Sequence, residues 1–216
     1  MPLRSLFDHL RIAALLDAII PPRRSDTIVR GLSEESLARL AASVRRAADA
    51  EFAYLLPYRD PGVRALVWEL KYRRNPRAAA LGGAVCAEEM LGIASEALSR
   101  PVVIPVPMHK ARRRGRGHNQ TETLCASALG RSKGSLAYSP HALERVRRTP
   151  PQQGLPRTKR LKNVQGSMHA PAPEIVRGKI CIVVDDVATT GATLREARRA
   201  LRAAGAGAVY CIALAG

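Results

Sequence analysis

The sequence predicts an α/β fold, a parallel sheet flanked by helices behind a helical N-terminal segment, and three observations carry that expectation. Short apolar runs alternate with stretches of helical periodicity from Phe52 to the C-terminus. The 216 residues are 46% hydrophobic, enough to bury a real core. The length suits one large domain with a small appendage, which divides the chain into residues 1–50, a helical segment, and residues 51–216, the α/β domain.

Taken in order, Ser33 is an N-cap with Glu34 and Glu35 behind it, and opens a helix to about Ala50. Phe52 to Tyr58 reads as a short strand. Asp60-Pro61 starts the next helix, with Val63, Leu66, Val67 and Leu70 on one face and Lys71 near its end, where an ammonium complements the dipole. Asn75-Pro76 opens a longer helix to about Leu98, weakened in its first half by Gly82-Gly83. Pro101 to Val106 is a strand, Thr121 to Leu129 a helix, and Leu143 to Arg147 a strand. Arg148 to Gln165 is polar and basic and holds Pro150, Pro151 and Pro156, which predicts a long mobile loop. Lys179 to Val184 is an apolar strand. Ala192 to Ala204 is a helix closed by Gly205, with Leu194, Ala197, Leu201 and Ala204 as its apolar stripe and Arg195, Arg198, Arg199 and Arg202 facing away. Ala208 to Leu214 is the last strand.

Charge narrows the function classes. Lys and Arg number 35 against 18 Asp and Glu, a net charge of +17, and the excess is concentrated in residues 101–170, where 14 basic residues face only Glu122 and Glu144. Such a region attracts polyanions: pyrophosphate, a nucleotide or a nucleic-acid backbone. Four widely spaced cysteines (Cys86, Cys125, Cys181, Cys211) offer no CxxC pair and no disulfide framework, and Cys125 and Cys181 fall on apolar faces. A reducing, cytoplasmic compartment follows as an expectation. The apolar stretch Ile12 to Ile20 is broken by Asp17 and lacks a signal-peptide pattern, and no apolar run reaches the roughly 20 residues of a membrane span. No GxxxxGK[ST] or GxGxxG is present.

The strongest chemistry is Cys181-Ile182-Val183-Val184-Asp185-Asp186-Val187-Ala188-Thr189-Thr190-Gly191-Ala192-Thr193-Leu194. An apolar strand ends in two carboxylates, and a short Thr/Gly loop then runs into a helix, gathering orphan backbone N–H groups and hydroxyls around one small volume. Thr189, Thr190 and Thr193 add donors, and Gly191 admits close approach of a phosphate. Each charge-assisted hydrogen bond to a phosphate dianion is worth roughly 1.5–3 kcal/mol, more than the helix dipole at roughly 0.3–1 kcal/mol. Carboxylates beside an anion site need another task, and sugar hydroxyls are its natural recipients. A simple helix cap would need only one Asp.

This segment resembles the phosphoribosyl-diphosphate motif of type I phosphoribosyltransferases. The resemblance implies that Asp185 and Asp186 hold the ribose hydroxyls, while Ala188, Thr189, Thr190, Gly191 and Thr193 surround the 5′-phosphate. Upstream, Val103-Ile104-Pro105-Val106-Pro107 leads into a basic loop, Lys110 to Arg116, with five basic residues in seven positions, then Gly117-His118-Asn119-Gln120. Downstream come Gln152-Gln153-Gly154-Leu155 and Arg160-Leu161-Lys162-Asn163-Val164-Gln165-Gly166. Together these resemble the ComF family, which carries Pro-Val-Pro, Arg-Gly-aromatic-Asn-Gln, Gln-x-Gly-Leu and Arg-x-x-Asn-Val-x-Gly in this order. The likeness runs from about Tyr54 to the C-terminus and includes Leu70-Lys71-Tyr72. His118 replaces the usual aromatic, Met168 replaces a usual Phe, and no cysteine follows Pro21-Pro22-Arg23-Arg24, so the family's N-terminal zinc module has no counterpart in this sequence.

The resemblance implies a type I phosphoribosyltransferase-like sheet that binds phosphoribosyl diphosphate with Mg²⁺ and transfers the phosphoribosyl group to an acceptor. Mg²⁺ would be held mainly by ligand oxygens. Asp185 and Asp186 would stabilise oxocarbenium character at C1, and Lys110, Arg113 and Arg114 the leaving pyrophosphate. Arg148 and Arg160 would act from the mobile loop, closing over the site and excluding water. Lys71, Arg116, Asn119 and Gln120 are secondary candidates. His109 and His118 read as surface histidines, and Glu122 and Glu144 as too isolated for a catalytic pair. The alternative is a non-catalytic factor that binds phosphoribosyl diphosphate or nucleic acid in DNA uptake. Tyr138 is the sole aromatic between residues 101 and 170, which favours non-specific backbone contact over base stacking. A second copy of the chain is a further expected partner, and a membrane is not.

Overall fold

The computed structural model describes residues 22–44, 52–109, 113–114, 117–147 and 164–216. It begins with α1 (Pro22–Gly31), inside the segment expected to be helical although with no bounds set for it, and α2 (Glu34–Ala42). Ser33 caps α2 in a reciprocal box with Ser36. The helix stops at Ala42 rather than running to Ala50, because the Ser43 hydroxyl donates to the Leu40 carbonyl at 2.6 Å and the Ser43 N–H to the same group at 3.1 Å. Residues 45–50 lie outside the described residues.

The α/β part follows as β1 (Ala53–Leu56), α3 (Pro61–Tyr72), α4 (Pro76–Ser95), β2 (Val102–Pro105), α5 (Gln120–Leu129), β3 (Ala137–Tyr138), β4 (Glu144–Arg145), β5 (Met168–His169), β6 (Ile180–Val187), α6 (Ala192–Ala203) and β7 (Ala208–Ala215). Asp60 and Asn75 cap α3 and α4 ahead of their prolines, as expected. The strand expected over Leu143–Arg147 is only two residues long and pairs antiparallel with β5, away from the main sheet. That sheet has the order β1-β7-β6-β2-β3, all pairs parallel.

Alternation along the strands builds two cores. Ile182, Val184, Ile212 and Leu214 face α3, α4 and α5, while Cys181, Val183, Cys211 and Ala213 face α6. Val29 of α1 and Leu37 of α2 are fully buried in the first core, so the N-terminal helices share the sheet's interior. Gly82 and Gly83 matter more for closeness than for helix propensity. A Cβ at Gly82 would stand 2.8 Å from the Leu124 side chain, and one at Gly83 2.3 Å from Ser127 Oγ. By length and composition α4 could cross a bilayer, but half of it is buried against the first core, which accounts for its apolarity.

The topology also fixes where a ligand can enter. From β6 the chain crosses through α6 on one face to β7, and from the adjacent β2 it leaves through α5 on the other face to β3. The connections diverge between β6 and β2, and a crevice opens there at the carboxyl ends of the strands.

Candidate functional site at the strand switch point

Asp185 and Asp186 occupy this crevice, just past the point where β2 ends opposite Val184. Both are buried. The Asp186 N–H donates to Asp185 Oδ1 at 2.9 Å, so the backbone itself sets the first carboxylate. Burial, and then the charge of Asp186, push the Asp185 carboxyl up to about 7, against the opposing effects of that N–H, Lys71 and Arg145. Asp186 is steadied from two other elements: Gln120 Nε2 donates to its Oδ2 at 2.5 Å, and Lys71 Nζ lies 3.6 Å from the same oxygen.

The turn that follows is shaped for an anion. Residues Val187 to Leu194 line a small hollow with Asp185. Gly191 has φ +68 and begins α6 with no side-chain cap of its own, at the helix end whose N–H groups favour an anion. Only glycine fits, since a Cβ here would lie 2.0 Å from the Phe52 ring. Thr189 is exposed, and Thr190 and Thr193 are half-buried. Thr190 Oγ1 accepts from Ala192 N. The Ala188 N–H is committed to the Ala215 carbonyl at 2.9 Å, so Ala188 shapes the turn but does not lend its N–H to a ligand.

The junction after β2 is built differently. Asn119 is buried and wholly employed by the chain: its Oδ1 accepts from Thr121 N and Thr121 Oγ1, and its Nδ2 donates to Val106 O and Glu122 Oε1. It fastens the loop at the start of α5. Arg113 makes a two-pronged pair with Glu122 at 2.9 and 3.1 Å, so Glu122 is not isolated but a counter-charge within the basic segment. Arg114 is exposed. His118 is not a free surface group; it is half-buried, with Nε2 3.0 Å from the Leu70 carbonyl, which ties the basic loop to the end of α3. Lys110, Arg116, Arg148 and Arg160 lie outside the described residues, as does most of the loop expected over Arg148–Gln165.

Several features escaped sequence reasoning. Glu196 is buried on α6 among arginines, accepting from Met168 N and Arg199, while Arg199 also donates to the Met168 carbonyl. Burial pushes its carboxyl up, but these hydrogen bonds outweigh burial and hold it below the usual carboxylate range. This clamp roots β5 on α6, and Arg147 Nη2 donating to Gln165 O holds together the two ends of the chain that flank residues 148–163. The other α6 arginines do not simply face solvent: Arg195 donates to Thr190 O and sits over the Phe52 ring, Arg198 reaches Val209 O, and Arg202 reaches Gly207 O. On α3, Trp68 and Tyr72 pack with ring centroids 5.4 Å apart and the Arg73 guanidinium lies over Trp68, bringing aromatic groups to the helix end that carries Lys71 and that His118 contacts. A wider hollow lies between α1 and the α3–α4 turn, where the Glu69 carboxylate already accepts from Ser25 and Asn75. No group of three or more His, Cys, Asp or Glu able to hold a metal occurs among the described residues.

The chain is similar in sequence to proteins already described. A family model described as a phosphoribosyl transferase domain matches residues 95–216. The DNA utilization protein YhgH of Salmonella typhimurium is 34% identical over 159 residues, covering 70% of this chain and 67% of that protein. YhgH of Escherichia coli K12 is 32% identical over 156 residues, with the same coverage. Among solved structures, an allosteric regulatory enzyme of purine biosynthesis aligns with TM-score 0.39 at 24% identity, over 68% of this chain and 30% of that one. The glutamine phosphoribosylpyrophosphate amidotransferase of B. subtilis aligns with TM-score 0.39 at 22% identity and the same coverage.

Proposed function

The chain belongs to the phosphoribosyl transferase domain family, among its ComF-like members, and we propose that it binds phosphoribosyl diphosphate at the β6–α6 turn and transfers the phosphoribosyl group to an acceptor. The observation that carries this reading is the union, at one switch point, of a buried carboxylate pair with a helix N-terminus entered through a left-handed Gly191. The two features call for opposite ligand chemistries, hydroxyl donors and an anion, and a 5-phosphorylated sugar presents both.

In this reading the α6 N-terminus and the threonine hydroxyls hold the 5′-phosphate, and the carboxylates orient the sugar hydroxyls. The bond from C1 to the pyrophosphate oxygen breaks with its electron pair going to pyrophosphate. The acceptor's lone pair forms the new bond to C1, and the proton the acceptor loses passes to the departing pyrophosphate. The negative charge of the Asp pair opposes the positive charge that develops on the sugar, and Arg113 and Arg114 lie on the basic segment that would receive the leaving group. The donor set fits Mg²⁺: Asp185 and Asp186 would meet a hydrated hard cation through its waters, while pyrophosphate and ribose oxygens would hold it directly. When bound with the substrate, Mg²⁺ supplies charge neutralisation to the pyrophosphate.

Incubation with phosphoribosyl diphosphate, Mg²⁺ and a panel of nucleobases, followed by phosphorus NMR, tests the reaction. Base-dependent release of pyrophosphate supports transfer. Binding without release favours a non-catalytic member, a reading that the relatives' description as DNA utilization proteins and the +17 charge keep in view.

A further inference from the structure

Gln120 occupies the first position of α5, directly after the basic loop, and is only 7% exposed. Its Nε2 donates to Asp186 Oδ2, while the other end of the same amide, Oε1, is buried with no hydrogen-bond partner among the described residues. Turning the amide over would set its carbonyl against the Asp186 carboxylate, so the orientation that leaves Oε1 unpaired is the one the charges select. A buried carbonyl that lacks a donor is costly, and such a group in a native site calls for an explanation.

The donor is not among the described groups of the chain. Lys71 is directed to Asp186 Oδ2, and the Asp186 N–H to Asp185. Of the groups phosphoribosyl diphosphate brings, the phosphates and the bridging oxygens offer only acceptors, and the two vicinal hydroxyls alone offer donors. We propose that Gln120 Oε1 accepts a hydrogen bond from one of the two vicinal hydroxyls of a 5-phosphorylated ribose held on Asp186. Gln120 is then a specificity-determining residue that selects ribose over the matching deoxyribose. A site built to pair with a hydroxyl rejects the analogue without it, because its own buried group is left unpaired. This inference rests on the phosphoribosyl reading above.

The test is calorimetry on the full chain, wild type against Gln120→Leu and Gln120→Met, with ribose 5-phosphate, 2-deoxyribose 5-phosphate, 3-deoxyribose 5-phosphate and inorganic phosphate. Wild type should bind ribose 5-phosphate at least tenfold tighter than one of the deoxy sugars. In both variants ribose 5-phosphate should weaken about tenfold while that deoxy sugar and phosphate change less than twofold, so that the two losses do not add. In wild-type protein labelled at glutamine carbonyls, the Gln120 signal should shift with ribose 5-phosphate and not with that deoxy sugar, a readout independent of how the variants fold. Equal weakening of all four ligands, additive losses, or an unchanged ribose preference overturns the role of Gln120 while leaving the phosphoribosyl reading in place. If wild type binds ribose 5-phosphate no better than phosphate, the phosphoribosyl reading fails and this inference with it.

Discussion

The β6–α6 and β2–α5 junctions are neighbours in the sheet and occupy equivalent places in it, yet they solve opposite problems. The first confines two carboxylates and a left-handed glycine in seven residues. The second spends a long basic segment and then secures its end with Asn119, Thr121 and the Arg113–Glu122 pair. Gln120 and Lys71 join the two by meeting on one oxygen of Asp186. The acidic junction buries a carboxylate pair beside a left-handed glycine, whereas the described part of the basic junction is hydrogen-bonded within itself except at Gln120 Oε1. Unmet polar groups mark the points on both junctions that would meet a ligand, and satisfied hydrogen bonds mark the residues that position them.

The contrast can be broken most severely at Gly191. Gly191→Ala forces an alanine into φ +68, at about 1–2 kcal/mol, and against the Phe52 ring, which as overpacking adds about 1–3 kcal/mol. Thermal unfolding should fall by several degrees, and the affinity for inorganic phosphate should fall with it. Asp185→Asn combined with Asp186→Asn should cut affinity for phosphoribosyl diphosphate about 100-fold, or about 2.7 kcal/mol, without lowering the unfolding temperature at pH 8. An equal loss of inorganic phosphate affinity would show that the carboxylates act through the turn instead of on the sugar.

Asp185 alone sharpens the comparison through pH. Its carboxyl titrates near 7 in the folded protein against an ordinary 3.8, so between these values the folded chain keeps a proton that the unfolded chain has lost. Stability from this group is complete below about pH 4, declines through that window and stays low above pH 7. Asp185→Asn keeps an oxygen for the Asp186 N–H and removes the charge. It should therefore be more stable than wild type at pH 8, and the advantage should vanish toward pH 4; a parallel pH profile for the two proteins would contradict the assignment. The smallest effect is expected in the basic junction. Arg113→Ala with Arg114→Ala should change stability by less than about 0.5 kcal/mol, as both are exposed, yet weaken pyrophosphate severalfold while sparing ribose 5-phosphate.

The same contrast governs how much could be read from sequence. Asp185 to Thr193 was legible because its chemistry is contiguous, and the alternation of strands and helices was legible because each element repeats its period. The meeting of Gln120 and Asp186, 66 residues apart, was not, since a motif names residues without their partners. Two-residue strands such as β3 and β5 are too short to show alternation. Glu196 is a lone acid in an arginine-rich helix, and only its burial reveals a clamp. Gly82 and Gly83 looked like defects in a helix until Leu124 and Ser127 supplied the reason for them.

The central claim is that the two junctions grip one ligand from its two ends. Calorimetric titration of the full chain with phosphoribosyl diphosphate, ribose 5-phosphate and pyrophosphate, each with Mg²⁺, tests it most directly. The account predicts a single site at which phosphoribosyl diphosphate binds at least tenfold tighter than either fragment, and from which each fragment is displaced by it. Equal affinity for phosphoribosyl diphosphate and pyrophosphate, with no heat from ribose 5-phosphate, would contradict it.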